Sequence, residues 1–463
     1  MNLSEEKLQQ AEELIRIILD ECEAAGIAAC MLDADGHTVY EKFFGFRDLE
    51  NRLPVDGETI FGLASVTKSF TALAIMKMQE DGLLSVDDPL SRYIPEFTNR
   101  NTETVKLSHL LSHSGGFFPQ ERITVMPVAR QLGLAEDRDH DLARNEKLAE
   151  EGGRLVAERL DALTKDGGLI AAPGRYCSYC NDGFGLLSEV IRRYGGQPSY
   201  DEYVRKHILQ PLHMDRSFCD FVRPGEDENA AILYDKKDGK MIHHRDYHDD
   251  AFVLNGGGAM KSTLNDLKKY LTMYLHEGEN VCDKESIAEM LKPRIPFGID
   301  GYYGYGLYTQ KIGPYQIFQH GGSLPGVSSN ILFSYDAGCA VIVLCNTSGV
   351  PVSRISDSLF MAYTGLNKDD LPAYPEHSWP AETQAEIQGE YQSGEGTAFT
   401  IRQENGRLIL KSEDGEKAIQ PISDRLAIVR GKWSDTVLEP ITNEKRGLFA
   451  VRYGSRVIPK ISG

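Results

Sequence analysis

The segment Ser65-Val66-Thr67-Lys68 places a hydroxyl and an amine three residues apart at the start of an apolar stretch that predicts a helix. At this spacing both side chains lie on one helical face, one turn apart. A serine hydroxyl is a good nucleophile only when a base takes its proton, and an amine can be that base when burial or a nearby cation lowers its pKa. Free N–H groups at a helix start also favour an oxyanion. The segment therefore indicates nucleophilic catalysis, although Ser4-Glu5-Glu6-Lys7 shares the pattern and is interpreted as an ordinary helix start.

Tyr179-Cys180-Asn181 is the one Tyr-x-Asn segment in the chain. A phenol can relay a proton when a nearby cation lowers its pKa, and an asparagine amide can donate to a substrate carbonyl. A buried tyrosine beside a turn asparagine would give the same pattern. The segment therefore supports catalysis only in combination with other motifs.

His320-Gly321-Gly322 follows a predicted strand, Ile317–Gln319, and precedes Ser323. Two glycines allow a substrate to approach a strand edge closely. His-x-Gly also occurs at His113 and His276, so the pattern is not unique. The copy at His320 has the better strand context.

Elements that could position these groups are visible in the hydrophobic periodicity. An amphipathic helix is predicted from Ser4 to Gly26, followed by two strands around the turn at residues 33–36. A second helix is predicted from Ser65 to Asp81, and the apolar run Cys339–Cys345 predicts a central strand. A helix followed by a hairpin indicates an α+β domain with an antiparallel sheet.

A proline-rich segment divides the chain into two predicted domains. We predict a first domain over residues 1–370, a linker over 371–382 and a small all-β barrel domain over 383–463. Short alternating strands separated by turn signals carry the second prediction.

Composition limits the partners and the compartment. The 463 residues carry a formal net charge of −19, which argues against a nucleic-acid or anionic-membrane partner. The acidic N-terminal stretch has charges among its apolar residues, unlike a secretory signal, and no run of about 18 apolar residues occurs. Eight cysteines without such a signal favour free thiols in a reducing environment. We therefore expect a cytoplasmic protein with no membrane partner.

The order Ser-x-x-Lys, Tyr-x-Asn, His-x-Gly resembles the class C β-lactamase and penicillin-binding-protein family of serine hydrolases. The similarity covers about residues 10–365 and extends to longer blocks: Ile60–Ala72, Asp81–Pro89, Leu110–Gly116, Gly257–Thr263, His320–Gly326 and Asn346. Glu390-Tyr391 and the strands after it resemble the lipocalin-like domain of some members. The resemblance implies an antiparallel sheet flanked by helices, an all-helical subdomain and a small barrel.

The resemblance also implies catalytic roles. Ser65 would be acylated, and Lys68 with Tyr179 would form a proton-transfer pair whose protonation is coupled, so the identity of the base stays open. The backbone N–H groups of Ser65 and Ser323 would form the oxyanion hole.

Substrate-binding roles follow in the same way. Asn181 would hold the substrate carbonyl or amide, and His320, Gly322 and Ser323 would line the site. Many relatives have Lys-Thr-Gly in place of His320-Gly321-Gly322, and the lost cation and hydroxyl weaken the expected recognition of a substrate carboxylate.

We therefore expect a serine hydrolase that cleaves small peptide, amide or ester substrates, with D-amino acids as one option. A β-lactamase or DD-peptidase, an acyltransferase or peptide cyclase, and a non-catalytic binding protein remain alternatives. We expect no cofactor and no metal; the histidines and aspartates of residues 243–250 are interpreted as a polar loop, and the charged stretch from Glu136 to Glu151 as a solvated helix or lid. Assembly into a homo-oligomer stays open.

Overall fold

The computed structural model describes residues 4–98, 105–134, 142–165, 168–221, 223–237, 239–245, 253–371, 373–444 and 446–462. These residues form an antiparallel sheet with helices on both faces, a helical region and a closed eight-stranded barrel. The predicted fold class is confirmed. Of the segments discussed above, residues 136–141, residues 246–250 and Pro372 lie outside the described ranges.

The main sheet has nine strands. Those that precede the barrel in the described ranges are β1 (Gly26–Asp33), β2 (Thr38–Asp48), β3 (Leu53–Pro54), β4 (Phe61–Gly62), β5 (Leu233–Lys237), β6 (Lys240–His244), β7 (Lys261–Ser262), β8 (Ile295–Phe297), β9 (Gly301–Tyr303), β10 (Tyr308–Ile312), β11 (Tyr315–Leu324), β12 (Val327–Ser334) and β13 (Cys339–Cys345). The order across the sheet is β3-β2-β1-β13-β12-β11-β10-β9-β8, while β4 pairs with β7 and β5 with β6.

Helices cover the sheet and build the region beside it. They are α1 (Glu5–Glu21), α2 (Thr67–Glu80), α3 (Leu107–Leu111), α4 (Val125–Gln131), α5 (Leu142–Leu163), α6 (Asn181–Tyr194), α7 (Tyr200–Val204), α8 (Arg223–Glu226), α9 (Leu264–Leu275), α10 (Lys284–Leu291), α11 (Val352–Thr364) and α12 (Ala381–Glu386). In the described residues α3 to α8 follow one another with no strand between them, as expected for a helical subdomain.

The core lies on both faces of the neighbouring strands β1 and β13. On β1, Ile27 and Ala29 pack with α1 and α11, while Ala28 and Cys30 face the cluster that contains α2 and α9. The alternation follows the two-residue period of a strand. Because both faces are covered, β1 and β13 are apolar along almost their whole length.

The barrel closes the C-terminal part of the chain. Its strands are β14 (Gly389–Gln392), β15 (Ala398–Glu404), β16 (Arg407–Ser412), β17 (Gly415–Pro421), β18 (Ala427–Val429), β19 (Thr436–Asn443), β20 (Gly447–Tyr453) and β21 (Arg456–Ser462). Buried aromatic and aliphatic side chains fill its interior, among them Tyr391, Phe399 and Leu438. The barrel therefore holds a packed core of its own.

Several predicted boundaries were wrong. The helix predicted from Ser4 to Gly26 ends at Glu21, and Gly26 begins β1. The helix predicted to start at Ser65 begins as a 3₁₀ turn, Ala64–Val66, and becomes α-helical at Thr67. The strand predicted to end at Gln319 continues as β11 to Leu324, because pairing with β12 holds the glycines in the ladder. Tertiary pairing here overrides the low strand preference of glycine.

All eight cysteines are free. None of the helices within the described ranges combines the length and the apolar character that a bilayer crossing requires.

Candidate active site

The nucleophile turn, which we define as residues 63–67, presents Ser65 from an otherwise buried segment. From Thr59 to Met76 every residue except Ser65 is buried. The Leu63 N–H donates to the Met260 carbonyl at 2.9 Å, and the Leu63 carbonyl accepts from Ser329 Oγ at 2.7 Å. These bonds fix the backbone on one side of the serine, so the hydroxyl emerges from a rigid support.

The backbone beside Ser65 is strained, and β11 packs tightly against it. Ala64 has a φ of +46°, a left-handed conformation that costs a non-glycine residue about 1–2 kcal/mol. A Cβ on Gly322 would lie 2.2 Å from the Leu63 carbonyl oxygen, whereas a Cβ on Gly321 would meet nothing closer than 3.6 Å. Gly322 is therefore needed for the strand to approach the nucleophile turn, and Gly321 is not.

Lys68 lies one turn after Ser65 and is fully buried, at 0% exposure. Its Nζ lies 3.2 Å from Ser65 Oγ, 2.9 Å from Asn181 Oδ1 and 2.7 Å from the Gly257 carbonyl oxygen. Burial, reinforced by the nearby Arg456 guanidinium, holds the pKa of this amine well below its usual value. Lys68 is therefore poised to be neutral.

Tyr179 and Asn181 reach the site from the start of α6. The Tyr179 hydroxyl is hydrogen-bonded to the Ser65 side chain, and Lys68 Nζ lies 4.7 Å from the centre of the Tyr179 ring. Burial raises the pKa of Tyr179, and the Ser65 contact and Arg456 oppose this rise in part. The phenol therefore keeps its proton in the resting site. The structure thus brings Ser65, Lys68, Tyr179 and Asn181 into direct contact.

His320 is placed differently from these four residues. Its Nδ1 lies 2.6 Å from the Gly321 carbonyl oxygen and its Nε2 lies 2.8 Å from the Tyr303 hydroxyl. Because a carbonyl only accepts, Nδ1 donates to it and Nε2 accepts from Tyr303. Burial is the main cause that lowers the pKa of His320 to about 3, so the ring is neutral. The ring centre lies 6.2 Å from that of Tyr179, and His320 is not among the residues that line the cavity at Ser65.

A cavity of about 640 Å³ opens in front of Ser65. Asn181, Ser323 and Leu324 line it from the hydrolase part of the chain. Beyond Gln319, β11 has no β10 partner, so its backbone edge up to Ser323 is open on this side. The arrangement suits an extended substrate lying beside the strand.

The barrel supplies another wall of this cavity, which the sequence analysis missed. Glu395, Thr397 and Arg456 line it together with residues 453–455. Glu395 accepts from Asn181 Nδ2 at 3.1 Å and from Arg456 Nε at 2.5 Å. No motif marks these residues, because they sit in hairpins far from Ser65 along the chain.

Within the described residues, Asp33, Asp35 and His37 have the spacing of a metal-ligand group, at the turn between β1 and β2. The Asp33 carboxylate accepts from the backbone N–H groups of Asp35 and His37, as turn aspartates commonly do. His243 and His244, predicted to belong to a polar loop, lie on β6, and residues 246–250 lie outside the described ranges.

Comparisons with known proteins identify the family of the chain. A family model described as Beta-lactamase matches residues 11–366. The serine beta-lactamase-like protein LACTB, mitochondrial, of Homo sapiens is 26% identical over 314 residues, which are 57% of this chain and 55% of LACTB. A penicillin-binding protein of Bacillus subtilis is 24% identical over 394 residues, covering 81% of each chain. This chain thus spans little more than half the length of human LACTB.

Solved structures give the same result. The octameric penicillin-binding protein homologue from Pyrococcus abyssi matches with a TM-score of 0.67 and 27% identity, over 97% of this chain and 99% of that one. A structure of SurE, at 21% identity and a TM-score of 0.68, shares the fold over 98% of this chain. The chain belongs to the Beta-lactamase family, and the predicted resemblance is confirmed.

Proposed function

We propose that this member of the Beta-lactamase family is a serine hydrolase that cleaves short peptides, amides or esters through an acyl-enzyme on Ser65. Lys68 is the base, Tyr179 donates a proton to the leaving group and regains one from Lys68, and Asn181 holds the substrate carbonyl or amide. The family supports the class of enzyme. The roles of the individual residues are argued from their contacts.

The hydrogen-bond partners of Lys68 Nζ are the main support for this proposal. A neutral amine has two N–H donors and one lone pair. Two of its neighbours, Asn181 Oδ1 and the Gly257 carbonyl, can only accept, so they take both N–H groups. The lone pair then faces the Ser65 hydroxyl at 3.2 Å, which is the arrangement of a general base.

The reaction follows from this arrangement. Ser65 Oγ bonds to the substrate carbonyl carbon while its proton moves to Lys68, and the backbone N–H groups of Ser65 and Ser323 stabilise the oxyanion. When the tetrahedral intermediate collapses, the bond to the amine or alcohol breaks. Tyr179 donates its proton to that leaving group and regains one from Lys68. Water then repeats the sequence on the acyl-enzyme and releases the acid.

The cavity supports substrates of modest size. Its volume of about 640 Å³ falls in the range of small-molecule sites. Because the barrel closes one side, a long folded protein would be excluded from Ser65 while a short peptide would fit. The similarity to a penicillin-binding protein also motivates a penicillin as a probe.

Covalent labelling tests the proposal. Wild-type protein and the Ser65→Ala variant are incubated with a fluorescent fluorophosphonate and a fluorescent penicillin, and the labelled peptide is identified by mass. We expect labelling on Ser65 in the wild type and none in Ser65→Ala. Equal labelling of the two proteins would contradict the proposal. Product masses from short D- and L-aminoacyl amides, with and without an added amine, separate hydrolysis from acyl transfer, and nitrocefin turnover measures β-lactamase activity.

We also propose that the chain forms a homo-oligomer. The Pyrococcus abyssi homologue is octameric, which supports a homo-oligomer for this chain, and sedimentation of the purified protein tests it. The cytoplasmic location predicted from the sequence stays a prediction.

A further inference from the structure

Two hairpins of the barrel extend into the active site. The first joins β14 to β15 at residues 393–397, and the second joins β20 to β21 at residues 453–456. The second hairpin bonds directly to the segment that carries Tyr179. Its Ser455 carbonyl accepts from the Tyr179 backbone N–H at 2.8 Å, and the Val457 N–H donates to Ser178 Oγ at 3.4 Å.

The first hairpin holds Asn181 from the side opposite Lys68. Asn181 Oδ1 accepts from Lys68 Nζ at 2.9 Å, and Asn181 Nδ2 donates to Glu395 Oε1 at 3.1 Å. Glu395 Oε2 accepts in turn from Arg456 Nε at 2.5 Å. The Arg456 guanidinium lies 4.7 Å from the centre of the Tyr179 ring. One ion pair therefore contacts both residues that accompany Ser65 and Lys68.

Tight packing keeps this ion pair in place. A Cβ on Gly394 would lie 2.6 Å from the Pro119 carbonyl oxygen, so the first hairpin presses directly against the hydrolase backbone. Within the hairpin, the Ser393 N–H donates to the Thr397 carbonyl at 2.9 Å. The Glu395 carboxylate is 15% exposed at the ion pair, which leaves it little freedom to move.

We propose that Glu395 and Arg456 are positioning residues that fix Asn181 and Tyr179 for acylation of Ser65. The barrel then contributes residues to the active site. The inference rests on the proposed function and extends it to residues outside the resemblance to the hydrolase domain. Glu395 fixes the amide of Asn181, and Arg456 anchors Glu395 while it packs on the phenol.

The two charges of the ion pair shift the pKa of Lys68 in opposite directions. Lys68 is surrounded by Glu395 and Arg456 of the barrel, Arg122, the Tyr179–Cys180 segment, and the buried rings of His113 and His320. Arg456 lowers the pKa of Lys68 and Glu395 raises it. Because Lys68 must be neutral to act, loss of Arg456 moves the acid limb of the rate profile to higher pH. Loss of the Glu395 charge moves it to lower pH.

Three variants separate charge from position in the full-length chain. Glu395→Ala removes the acceptor of the Asn181 amide, Glu395→Gln keeps an acceptor without the charge, and Arg456→Met keeps the length of the side chain without the cation. Glu416→Gln is the control, because Glu416 pairs with Arg402 on the exposed barrel surface and does not line the cavity. The melting temperature of each variant reports whether it folds.

Rates of fluorophosphonate labelling across pH, and the NMR signal of the Asn181 side-chain amide, are the readouts. We expect Glu395→Ala to label roughly 10- to 100-fold more slowly and to shift the Asn181 signal, as misplacement of a catalytic group would. Glu395→Gln should label close to the wild-type rate at neutral pH, with its acid limb at lower pH, and Arg456→Met should have its acid limb at higher pH.

The readouts distinguish failure of this inference from failure of the proposed function. An Asn181 signal that stays at its wild-type position in folded Glu395→Ala, or acid limbs that coincide in all variants, would overturn the inference. Absence of any labelling in the wild type would instead remove the proposed function, while the Asn181 signal would still decide whether Glu395 fixes that side chain.

Discussion

The chain contains two Ser-x-x-Lys segments at helix starts, and only one of them forms a candidate catalytic pair. Ser4 Oγ accepts from the Lys7 backbone N–H at 3.5 Å as a helix cap, and the Lys7 amine donates to the carbonyls of Gly365 and Leu366. In the second segment the lysine amine turns back to the serine, and Lys68 Nζ lies 3.2 Å from Ser65 Oγ.

The difference between the two segments lies in their surroundings. Helix α1 is amphipathic and packs one face on the sheet, and Ser4 and Lys7 at its start are only half-buried. Helix α2 is buried almost all round, which removes water from Lys68 and fixes its partners. Spacing alone therefore brings a hydroxyl and an amine onto one face, and burial lowers the pKa of the amine, as the proposed role of base requires.

Replacement of the two lysines is the strongest test of this comparison. We expect Lys68→Met to lower kcat/KM by roughly 10³-fold or more, because no other group beside Ser65 can take its proton. Lys7→Met should leave kcat/KM unchanged, since the Lys7 amine contacts only backbone carbonyls near residue 365. Steady-state kinetics of both variants on the best short ester provides the measurement.

A Lys68→Met variant that stays folded and retains wild-type kcat/KM would contradict the assignment of the base. Thermal melting checks the fold, because loss of the amine leaves Asn181 Oδ1 and the Gly257 carbonyl without their donor.

The second-largest expected effect comes from a substitution at Gly322, which packs against the nucleophile turn. A methyl group at residue 322 would overlap the Leu63 carbonyl, so we expect Gly322→Ala to displace the nucleophile turn and lower kcat/KM by roughly 10²-fold. The free energy of unfolding should fall by about 1–3 kcal/mol through overpacking. Gly321→Ala is the matched control, because its Cβ would make only ordinary contacts. Equal effects of the two alanines would show that the close approach of β11 is not what positions Ser65.

Local patterns predicted the residues that contact Ser65 but not the shape of their support. The helix, the central strand Cys339–Cys345 and the meeting of Lys68 with Tyr179 were expected from periodicity and resemblance. The 3₁₀ turn at Ala64 was not, because Ser329 and Met260, which are distant in sequence, bond to Leu63, the residue before the left-handed alanine. The extension of β11 through two glycines likewise depends on its partner strand.

The limit of prediction from local sequence patterns is clearer in the barrel. Its existence followed from short alternating strands, but the sequence pattern does not show all eight of its strands. β14 and β17 carry glycine, glutamate and lysine, which weaken a strand signal although the closed ladder accommodates them. Glu395 and Arg456 could not be assigned to the site, since a turn glutamate and a strand arginine are ordinary surface residues until the barrel is docked.

Acid stability should report on a buried histidine of the active-site region. The pKa of His320 is lowered to about 3, chiefly by burial. Between that value and the ordinary pKa near 6.5, the unfolded chain binds a proton at this residue and the folded chain does not. The free energy of unfolding therefore falls as the pH drops through this window. We expect the melting temperature of the wild type to drop by about 3 °C more than that of His320→Gln between pH 6.5 and pH 4.

Parallel melting curves for wild type and His320→Gln would mean that His320 takes up a proton in the folded protein.

The smallest expected effect returns to the first Ser-x-x-Lys segment. Ser4→Ala removes the cap that accepts from the Lys7 backbone N–H, so the free energy of unfolding should fall by about 0.5–1 kcal/mol, near the lower end for helix caps because the contact is long. Fluorophosphonate labelling should proceed at the wild-type rate, because α1 packs on the sheet face opposite to α2. Chemical denaturation and labelling of the same sample measure both quantities. Slower labelling with unchanged stability would show that the two segments are coupled, and the contrast between a capping serine and a nucleophilic one would then fail.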